Sequence, residues 1–164
     1  MFKNIFIVAF LLFGSASYAM GNKKNNISQN INQNIEITFR QLMKYYKEEN
    51  EDSFFALVDK DNFLQDYMLF RQAVEKDFRT YEILDFDYWI DKITSDGSKR
   101  YLYVKWKKLV QNISNSNAYT QKGNSRLLFE KINGKYKLIE LGGDALWGGS
   151  LKEWKMRLPQ ISDQ

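Results

Sequence analysis

Apolar residues recur at helical spacing through the first half of the chain, after a polar stretch that ends near residue 34. The first stripe predicts a helix over 35–49 with Asn34 as its N-cap, and its apolar side consists of Ile35, Phe39, Leu42 and Tyr46. Asp52 is the predicted N-cap of a short second helix, and Asp61 is the predicted N-cap of a third. The third stripe is the clearest, and it consists of Phe63, Tyr67, Phe70, Val74 and Phe78. We expect Phe70 and Val74 to lie in the core, against a sheet.

After residue 80 the pattern changes to alternation of apolar and polar residues, which predicts β-strands. One strand contains Leu84 to Ile90 and the next contains Leu102 to Trp106. A three-residue turn of Asp96, Gly97 and Ser98 keeps the two apolar sets on one face, whereas a one-residue slip would separate them. The register that follows sets Trp106 opposite Tyr88, Asp87 opposite Lys107 and Asp91 opposite Tyr103.

A second hairpin is predicted from strands at 125–132 and 135–142, which flank the type I′ turn signal Asn133-Gly134. Its two-residue register sets Phe129 opposite Leu138, Lys131 opposite Tyr136, Glu130 opposite Lys137, and Leu127 opposite Glu140. Ser150 and Glu153 then have the spacing of a capping box. They predict a short C-terminal helix with Leu151, Trp154 and Leu158 on one side.

The N-terminal residues have the three parts of a secretory signal peptide. Lys3 precedes an apolar run of nine residues, Ile5–Phe13, and small residues at Ser17 and Ala19 predict cleavage after Ala19. The run is shorter than the roughly 20 residues that a membrane span needs. We therefore expect a periplasmic or secreted protein without a stable membrane anchor. The predicted organisation is a signal peptide at 1–19, a flexible leader at 20–34, a domain at 35–142 and a C-terminal extension at 143–164.

The composition excludes several kinds of chemistry. The chain has no cysteine and no histidine, so a Ser-His-Asp triad, a Cys–His pair and the usual zinc or haem ligand sets cannot be built. Asp85, Asp87 and Asp91 lie on one face of one strand, at least about 7 Å apart, which is too far for them to converge on a calcium ion. The sequence therefore predicts no metal, no cofactor and no catalytic residue.

The net charge of +4 is small, and we expect no nucleic-acid partner for an exported chain. In the predicted register Lys105 and Lys107 face Asp85 and Asp87 across the sheet. That arrangement is typical of a solvated face. The alternative is a patch that binds anionic lipid or polysaccharide.

Two segments resemble the nuclear-transport-factor-2-like superfamily, which includes ketosteroid-isomerase-like and SnoaL-like groups. They are IEITFRQLMKYYKEENEDSFFALVDKDNF at 35–63 and RLLFEKINGKYKLIEL at 126–141. The resemblance covers about 35–142. It implies an α+β fold in which three N-terminal helices pack on a curved, cone-like, four-stranded antiparallel sheet, followed here by the short C-terminal helix.

The resemblance also implies a pocket inside the cone, for which Tyr88, Trp106 and Glu140 are the candidate ligand-binding residues. Members of the superfamily are isomerases, dehydratases and polyketide cyclases, or binding and dimerisation modules. The enzymes use Asp, His or Tyr groups in the pocket, and this chain lacks His. We therefore expect a non-catalytic binding or assembly module, whose partner is an envelope protein or a small apolar ligand and which can form a homodimer. The alternative is a small lyase or isomerase acting on an apolar ligand.

Two hypotheses remain for Trp147 and Trp154 in the C-terminal extension. They can pack back on their own domain, with Trp147 anchoring the turn into the last helix. Alternatively they can bind a partner or a membrane surface, since Trp is common at such interfaces.

Overall fold

The computed structural model describes residues 16–161, which form four helices and four strands. The elements are α1 Ala16–Lys47, α2 Glu51–Phe55, α3 Tyr67–Thr80, β1 Tyr81–Asp96, β2 Lys99–Asn112, β3 Ala118–Ile132, β4 Lys135–Gly143 and α4 Lys152–Lys155. Most of the predicted signal peptide, residues 1–15, lies outside the described residues. The chain divides into two compact units, one up to Gln33 and one from Asn34 onward. The fold and the sites below belong to the second unit.

The predicted fold class is confirmed. The strands form one curved antiparallel sheet in the order β1-β2-β3-β4, and helices precede and follow it. The face of the sheet that carries Trp106 and Leu127 is covered, and we call it the inner face; the opposite face is the outer face. On the inner face Phe86 and Tyr88 contact the rings of Tyr46 and Phe39 from α1.

Helix α1 is longer than the sequence predicts, since it begins at Ala16 and passes through the segment predicted to be a flexible leader. Asn34 therefore lies inside the helix, where its carbonyl accepts a hydrogen bond from Thr38 Oγ1 at 3.0 Å. Once the buried stripe at 35–46 has formed helix, each preceding residue adds a backbone hydrogen bond without a new nucleation cost. The apolar pattern marks only the packed part of such a helix. That part is as predicted, because Ile35, Phe39, Leu42 and Tyr46 are buried.

The caps of α2 and α3 differ from the predicted ones. Asn50 caps α2 by accepting from the Ser53 amide, and Asp66 caps α3 by accepting from the Leu69 amide. Phe63 continues the helical spacing but precedes the helix, and its ring stacks on Phe70 at 5.1 Å. Phe63 is apolar because it stacks on Phe70, and its spacing from Tyr67 and Phe70 matches that of a helix only by coincidence.

Phe70 and Val74 are fully buried, as predicted. The aromatic rings around Phe70 belong to the other helices, the loop before α3 and the end of the chain rather than to the sheet. They are those of Phe54, Phe55, Phe63 and Trp154.

The central register of the first hairpin is as predicted, with Tyr88 opposite Trp106 and Asp87 opposite Lys107. The predicted turn is one residue too long, because Asp96 pairs with Lys99 and the loop therefore has two residues. A bulge between Ile90 and Lys92 compensates for the difference. Asp91 is thus the extra residue and does not pair with Tyr103, while its carboxylate lies 3.7 Å from Lys105 Nζ.

The second hairpin has the predicted turn, with positive φ at both Asn133 and Gly134. Phe129 pairs with Leu138, Lys131 with Tyr136 and Glu130 with Lys137, as predicted. Beyond these pairs a bulge shifts the register by one residue, so Leu127 pairs with Leu141 and Glu140 pairs with Leu128. The predicted pair of Leu127 and Glu140 is therefore wrong. A slip of one residue moves a side chain to the other face, so Glu140 lies on the outer face.

The loop between α2 and α3 covers the edge of β4. Val58 forms a parallel bridge with Leu138, and the Leu64 amide donates to the Ile139 carbonyl at 2.8 Å. The exposed backbone groups of an edge strand would otherwise attract other chains.

Residues 144–161, here called the C-terminal segment, return to the body of the domain. Leu146, Trp147 and Trp154 are fully buried, which confirms that this segment packs on its own domain. The predicted capping box is wrong. Helix α4 begins at Lys152 with Leu151 at the N-cap position, and the Ser150 amide instead donates to Asp77 Oδ1 at 2.7 Å.

Candidate functional site

The space between the helices and the inner face is occupied by the indole of Trp147. Its ring centroid lies 5.1 Å from that of Phe54, 6.3 Å from that of Phe39 and 6.3 Å from that of Tyr46. All four side chains are at most 1% exposed. The C-terminal segment therefore fills the position where the resemblance places a pocket.

Two of the three predicted pocket residues lie side by side beneath this aromatic cluster. Tyr88 meets the edge of Phe39 at 5.1 Å and is paired with Trp106 across the strands. Trp106 is 5% exposed, and its Nε1 donates to Ser125 Oγ at 2.8 Å. The polar group of Trp106 is thus already satisfied inside the protein.

Glu140, the third predicted pocket residue, is not part of this group. Its carboxylate lies on the outer face and forms an ion pair with Arg126. Arg126 in turn lies over the ring of Tyr101, with Cζ 5.4 Å from the ring centroid. The bulge in the second hairpin separates Glu140 from Tyr88 and Trp106.

The predicted partner-binding residues Trp147 and Trp154 are both 0% exposed. Trp154 packs on Phe70 at 4.9 Å, and its Nε1 donates to the Trp147 carbonyl at 3.1 Å. Neither side chain offers a docking surface while the C-terminal segment is in place. A role of these residues in partner binding stays a prediction that requires the segment to leave the core.

A buried carboxylate that the sequence analysis did not single out holds the C-terminal segment. Asp77 is 2% exposed, and its Oδ2 accepts from the Tyr46 hydroxyl at 2.5 Å and from the Gly148 and Gly149 amides at 2.7 and 3.1 Å. With the Ser150 amide on Oδ1, the carboxylate accepts three successive backbone N–H groups. Such a concave arrangement of amides is a favourable site for an anion.

A buried lysine contacts the same C-terminal segment that Asp77 holds. Lys108 is 1% exposed, and its Nζ donates to the Leu146 carbonyl at 3.2 Å. The ammonium also lies 5.4–5.8 Å from the ring centroids of Trp106, Tyr46 and Phe86. Burial lowers the pKa of Lys108, and the charge of Asp77 partly opposes that lowering. Burial and the same carboxylate raise the pKa of Tyr46 well above its ordinary value.

The sequence contains signals for both groups. Lys108 occupies a position of β2 that has the same parity as the inward-facing Leu102, Val104 and Trp106. Asp77 follows Phe70 by seven residues, so it continues the buried face of α3. A charge at an apolar position of each pattern is the feature that identifies them.

The outer face of the sheet carries an open groove of about 800 Å³. Its lining is mostly polar and includes Lys92, Tyr101, Tyr103, Lys105 and Arg126. Lys92 Nζ lies 4.7 Å from the ring centroid of Tyr103. The groove therefore combines two tyrosine rings with Arg126, and Tyr and Arg are among the residue types that contribute most at protein interfaces.

Residues 16–161 contain no group of three or more Asp or Glu side chains that could hold a metal ion. Within the same range, no helix is long and apolar enough to cross a membrane.

Comparison by sequence finds neither a matching family model nor a matching curated protein. Solved structures that are similar to this one include two proteins with the same kind of fold. One is an NTF-2-like protein of unknown function from Shewanella oneidensis MR-1, with 12% identity, a TM-score of 0.53, and coverage of 68% of this chain and 97% of the other. The second is an NTF2-like superfamily protein from Salmonella enterica serovar Typhimurium LT2, with 10% identity, a TM-score of 0.58, and coverage of 71% and 92%. This chain therefore has the nuclear-transport-factor-2-like fold, as its sequence pattern predicts.

Proposed function

We propose that the protein is an exported, non-catalytic binding or assembly module that recognises a partner protein on the outer face of its sheet. The observation that carries this proposal is the filled interior, in which Trp147 occupies the space that an enzyme of this fold would need for a substrate. The two charged groups of this interior, Asp77 and Lys108, are at most 2% exposed. The alternative function, a lyase or isomerase, requires such groups to reach a substrate.

The outer face is the surface that supports binding. The groove offers hydrogen-bonding and charged groups of both signs, with Asp91 and Asp96 beside Lys92 and Arg126. On the same face, Trp89 is 56% exposed next to Lys105. A polar groove with half-buried tyrosine rings, on the same face as an exposed tryptophan, suits a hydrophilic protein surface better than a small apolar ligand.

Site-specific photocrosslinking in intact cells tests the proposal. A photoreactive residue in place of Lys105, inside the groove, should give a defined covalent adduct with a partner. The matched control is Lys122, which is also exposed and on the outer face but does not line the groove. We expect at least about 10-fold less adduct at Lys122, because crosslinking falls steeply once a side chain leaves the contact. Equal adducts at both positions, or none at Lys105, would refute the outer face as the binding surface.

Export is tested by the mass of the mature protein. We expect residues 1–19 to be missing from the protein in the periplasm or medium, with Met20 as the first residue. Retention of the apolar run in a membrane fraction would contradict the proposed compartment.

A further inference from the structure

The two edges of the sheet differ in how the rest of the chain covers them. Beyond the contacts of the loop before α3, the side-chain amide of Gln65 bonds to both backbone groups of Leu141 in β4, donating to its carbonyl and accepting from its amide. At the end of the strand, the Gly143 amide donates to the Pro159 carbonyl at 2.8 Å. The edge of β4 is therefore covered along most of its length.

Strand β1 forms the other edge, and within residues 34–161 it pairs with β2 alone. Every second residue of an edge strand directs its N–H and C=O groups away from the sheet. In the same range, the one side-chain hydrogen bond to the backbone of β1 is local, from the Phe86 amide to the carboxylate of its neighbour Asp85 at 2.9 Å. Such an edge is a template on which another chain can pair.

Two bulges define how much of this edge is regular. They lie at Leu84 and at Asp91, and the six residues between them, Asp85 to Ile90, pair with β2 without interruption. Six residues is an ordinary length for a β-strand. Because a bulge bends the strand and ends regular pairing, an added strand would fit between the two.

The side chains of this regular segment alternate between two environments. Asp85, Asp87 and Trp89 are exposed on the outer face, whereas Tyr88 and Ile90 are half-buried on the inner face. The side chains of an added strand would lie next to these two rows. Cationic groups suit the outer row, where they would meet two carboxylates and the face of an indole. Apolar groups suit the inner row.

The charge of β1 disfavours a second copy of this chain as the added strand. The strand carries five acidic residues and one basic residue, Lys92. Two such edges side by side would bring carboxylates together, and like charges directly opposite one another are destabilising. Asp85 and Asp87 form no ion pair among the described residues, so a cationic strand would find them available.

We propose that β1 is the docking edge for the partner protein, which adds to the sheet an extended segment that alternates Lys or Arg with apolar residues. In this mode of binding the main-chain hydrogen bonds provide affinity and the alternate side chains provide selectivity. The inference rests on the function proposed above, because Asp91, Lys92 and Thr94 of β1 also line the groove on the outer face. The edge and the groove are then two parts of one contact.

A capped peptide of alternating lysine and valine, long enough to span Asp85–Ile90, tests the pairing. We expect its largest effects on amide NMR signals to fall on these β1 residues. Two N-methylated isomers, one methylated at the lysines and one at the valines, keep the charge but each lose one set of N–H groups. Since only one set faces β1, one isomer should bind at least about 10-fold more weakly than the other. Equal affinities of the two isomers would refute strand addition.

The role of charge is tested by Asp87→Lys with the unmethylated peptide. Binding should weaken at least about 10-fold, because like charges then meet in the contact. The matched control is Asp61→Lys, at an exposed aspartate in the loop between α2 and α3. An equal loss for the two variants would mean that the peptide responds to net charge rather than to this edge, and it would contradict the proposal.

Photocrosslinking in intact cells connects the edge to the partner. Leu84 is 46% exposed at the first bulge of β1, and Leu64 is 55% exposed in the loop that covers β4. A photoreactive residue at Leu84 should capture the same protein as one at Lys105, through a segment that contains Lys or Arg, whereas Leu64 should not. An adduct at Lys105 without one at Leu84 would refute the edge and leave the outer-face proposal intact. Absence of the adduct at Lys105 would instead refute the outer-face proposal.

Discussion

Asp77 joins helix α3 to the C-terminal segment through hydrogen bonds that only a carboxylate can accept together. Both of its oxygens are used, and four donors converge on them. In Asp77→Asn the amide nitrogen cannot accept, so at least one buried N–H group loses its partner. We expect a loss of about 1.5–3 kcal/mol in the free energy of unfolding, the range for hydrogen bonds to charged groups. Urea denaturation measures it.

The control for this prediction is Asp87→Asn, which removes a carboxylate from the exposed outer face opposite Lys107. Changes at such surface positions usually stay within about 0.5 kcal/mol. Equal costs at Asp77 and Asp87 would mean that Asp77 does not hold the segment.

Lys108 makes stability depend on alkaline pH. Because burial lowers its pKa, the folded protein holds this proton less tightly than the unfolded chain, and stability rises with pH toward the ordinary value of 10.5. From about pH 7 to about pH 9.5, we expect the free energy of unfolding of the wild type to rise relative to that of Lys108→Met in urea denaturation. Lys107→Met, on the exposed outer face, should not show this trend. A constant difference for Lys108→Met would contradict the burial of a charged lysine.

Tyr46 has the opposite effect at higher pH. Burial and Asp77 raise its pKa, so above the ordinary value of 10.0 the unfolded chain releases a proton that the folded protein keeps. Stability that depends on Tyr46 is therefore lost above that pH. The effect of Lys108 is therefore measured below pH 10, where Tyr46 does not contribute to the pH dependence.

At the scale of elements, periodicity predicts strands and the pairs between bulges but not the bulges themselves. Tyr88 opposite Trp106 and Phe129 opposite Leu138 follow from keeping apolar residues on one face. No apolar residue marks the bulge at Asp91, so the sequence pattern does not predict it. The bulge before Glu140 places this residue on the face opposite to the predicted one. The candidate site was predictable only in part for this reason. Asp77 and Lys108 look like polar interruptions in a sequence, and only tertiary packing shows that they are buried together.

The start of α1 could not be predicted for a related reason. Residues 20–34 carry few large apolar groups, so no apolar stripe in the sequence marks a helix there, and propagation of the backbone hydrogen bonds from the turns at 35–46 accounts for it. In contrast, the Asn133-Gly134 turn was predictable because its positive φ angles demand those residue types.

Close packing of Gly148 controls how the C-terminal segment is seated. Gly148 has φ +76°, and an added Cβ would lie 2.7 Å from both Ala73 Cβ and Trp154 Cδ1. Gly134 has φ +82° with nothing within 4 Å of an added Cβ, so it is a matched control for backbone strain. Gly148→Ala and Gly134→Ala should each lower the free energy of unfolding by about 1–2 kcal/mol, because alanine is strained in the left-handed conformation. Gly148→Ala should cost about 1–3 kcal/mol more for overpacking, measured by urea denaturation. Equal costs would mean that the contact with Ala73 relaxes freely.

At the scale of the whole molecule, the domain has no disulfide to rely on, since the chain lacks cysteine. Aromatic packing replaces it, with 12 Phe, 10 Tyr and 4 Trp in the chain. Aromatic pairs in edge or offset contact add about 0.5–1.5 kcal/mol beyond their buried area. Trp147 and Trp154 connect the aromatic rings of the helices into one cluster, so the C-terminal segment is part of the core.

Removal of the C-terminal segment tests this dependence directly. A chain that ends after Gly143 loses two fully buried tryptophans and exposes Phe39, Tyr46 and Phe54. We expect its melting temperature to fall by more than about 10 °C, because each 1 kcal/mol lost shifts a domain of this size by several degrees. The truncated chain should also bind the dye ANS while its far-UV circular dichroism retains the strand signal. Met156→Ala, at a position that is 73% exposed in the same segment, should melt as the wild type does. Unchanged melting without dye binding would mean that the sheet and helices close their core without the segment.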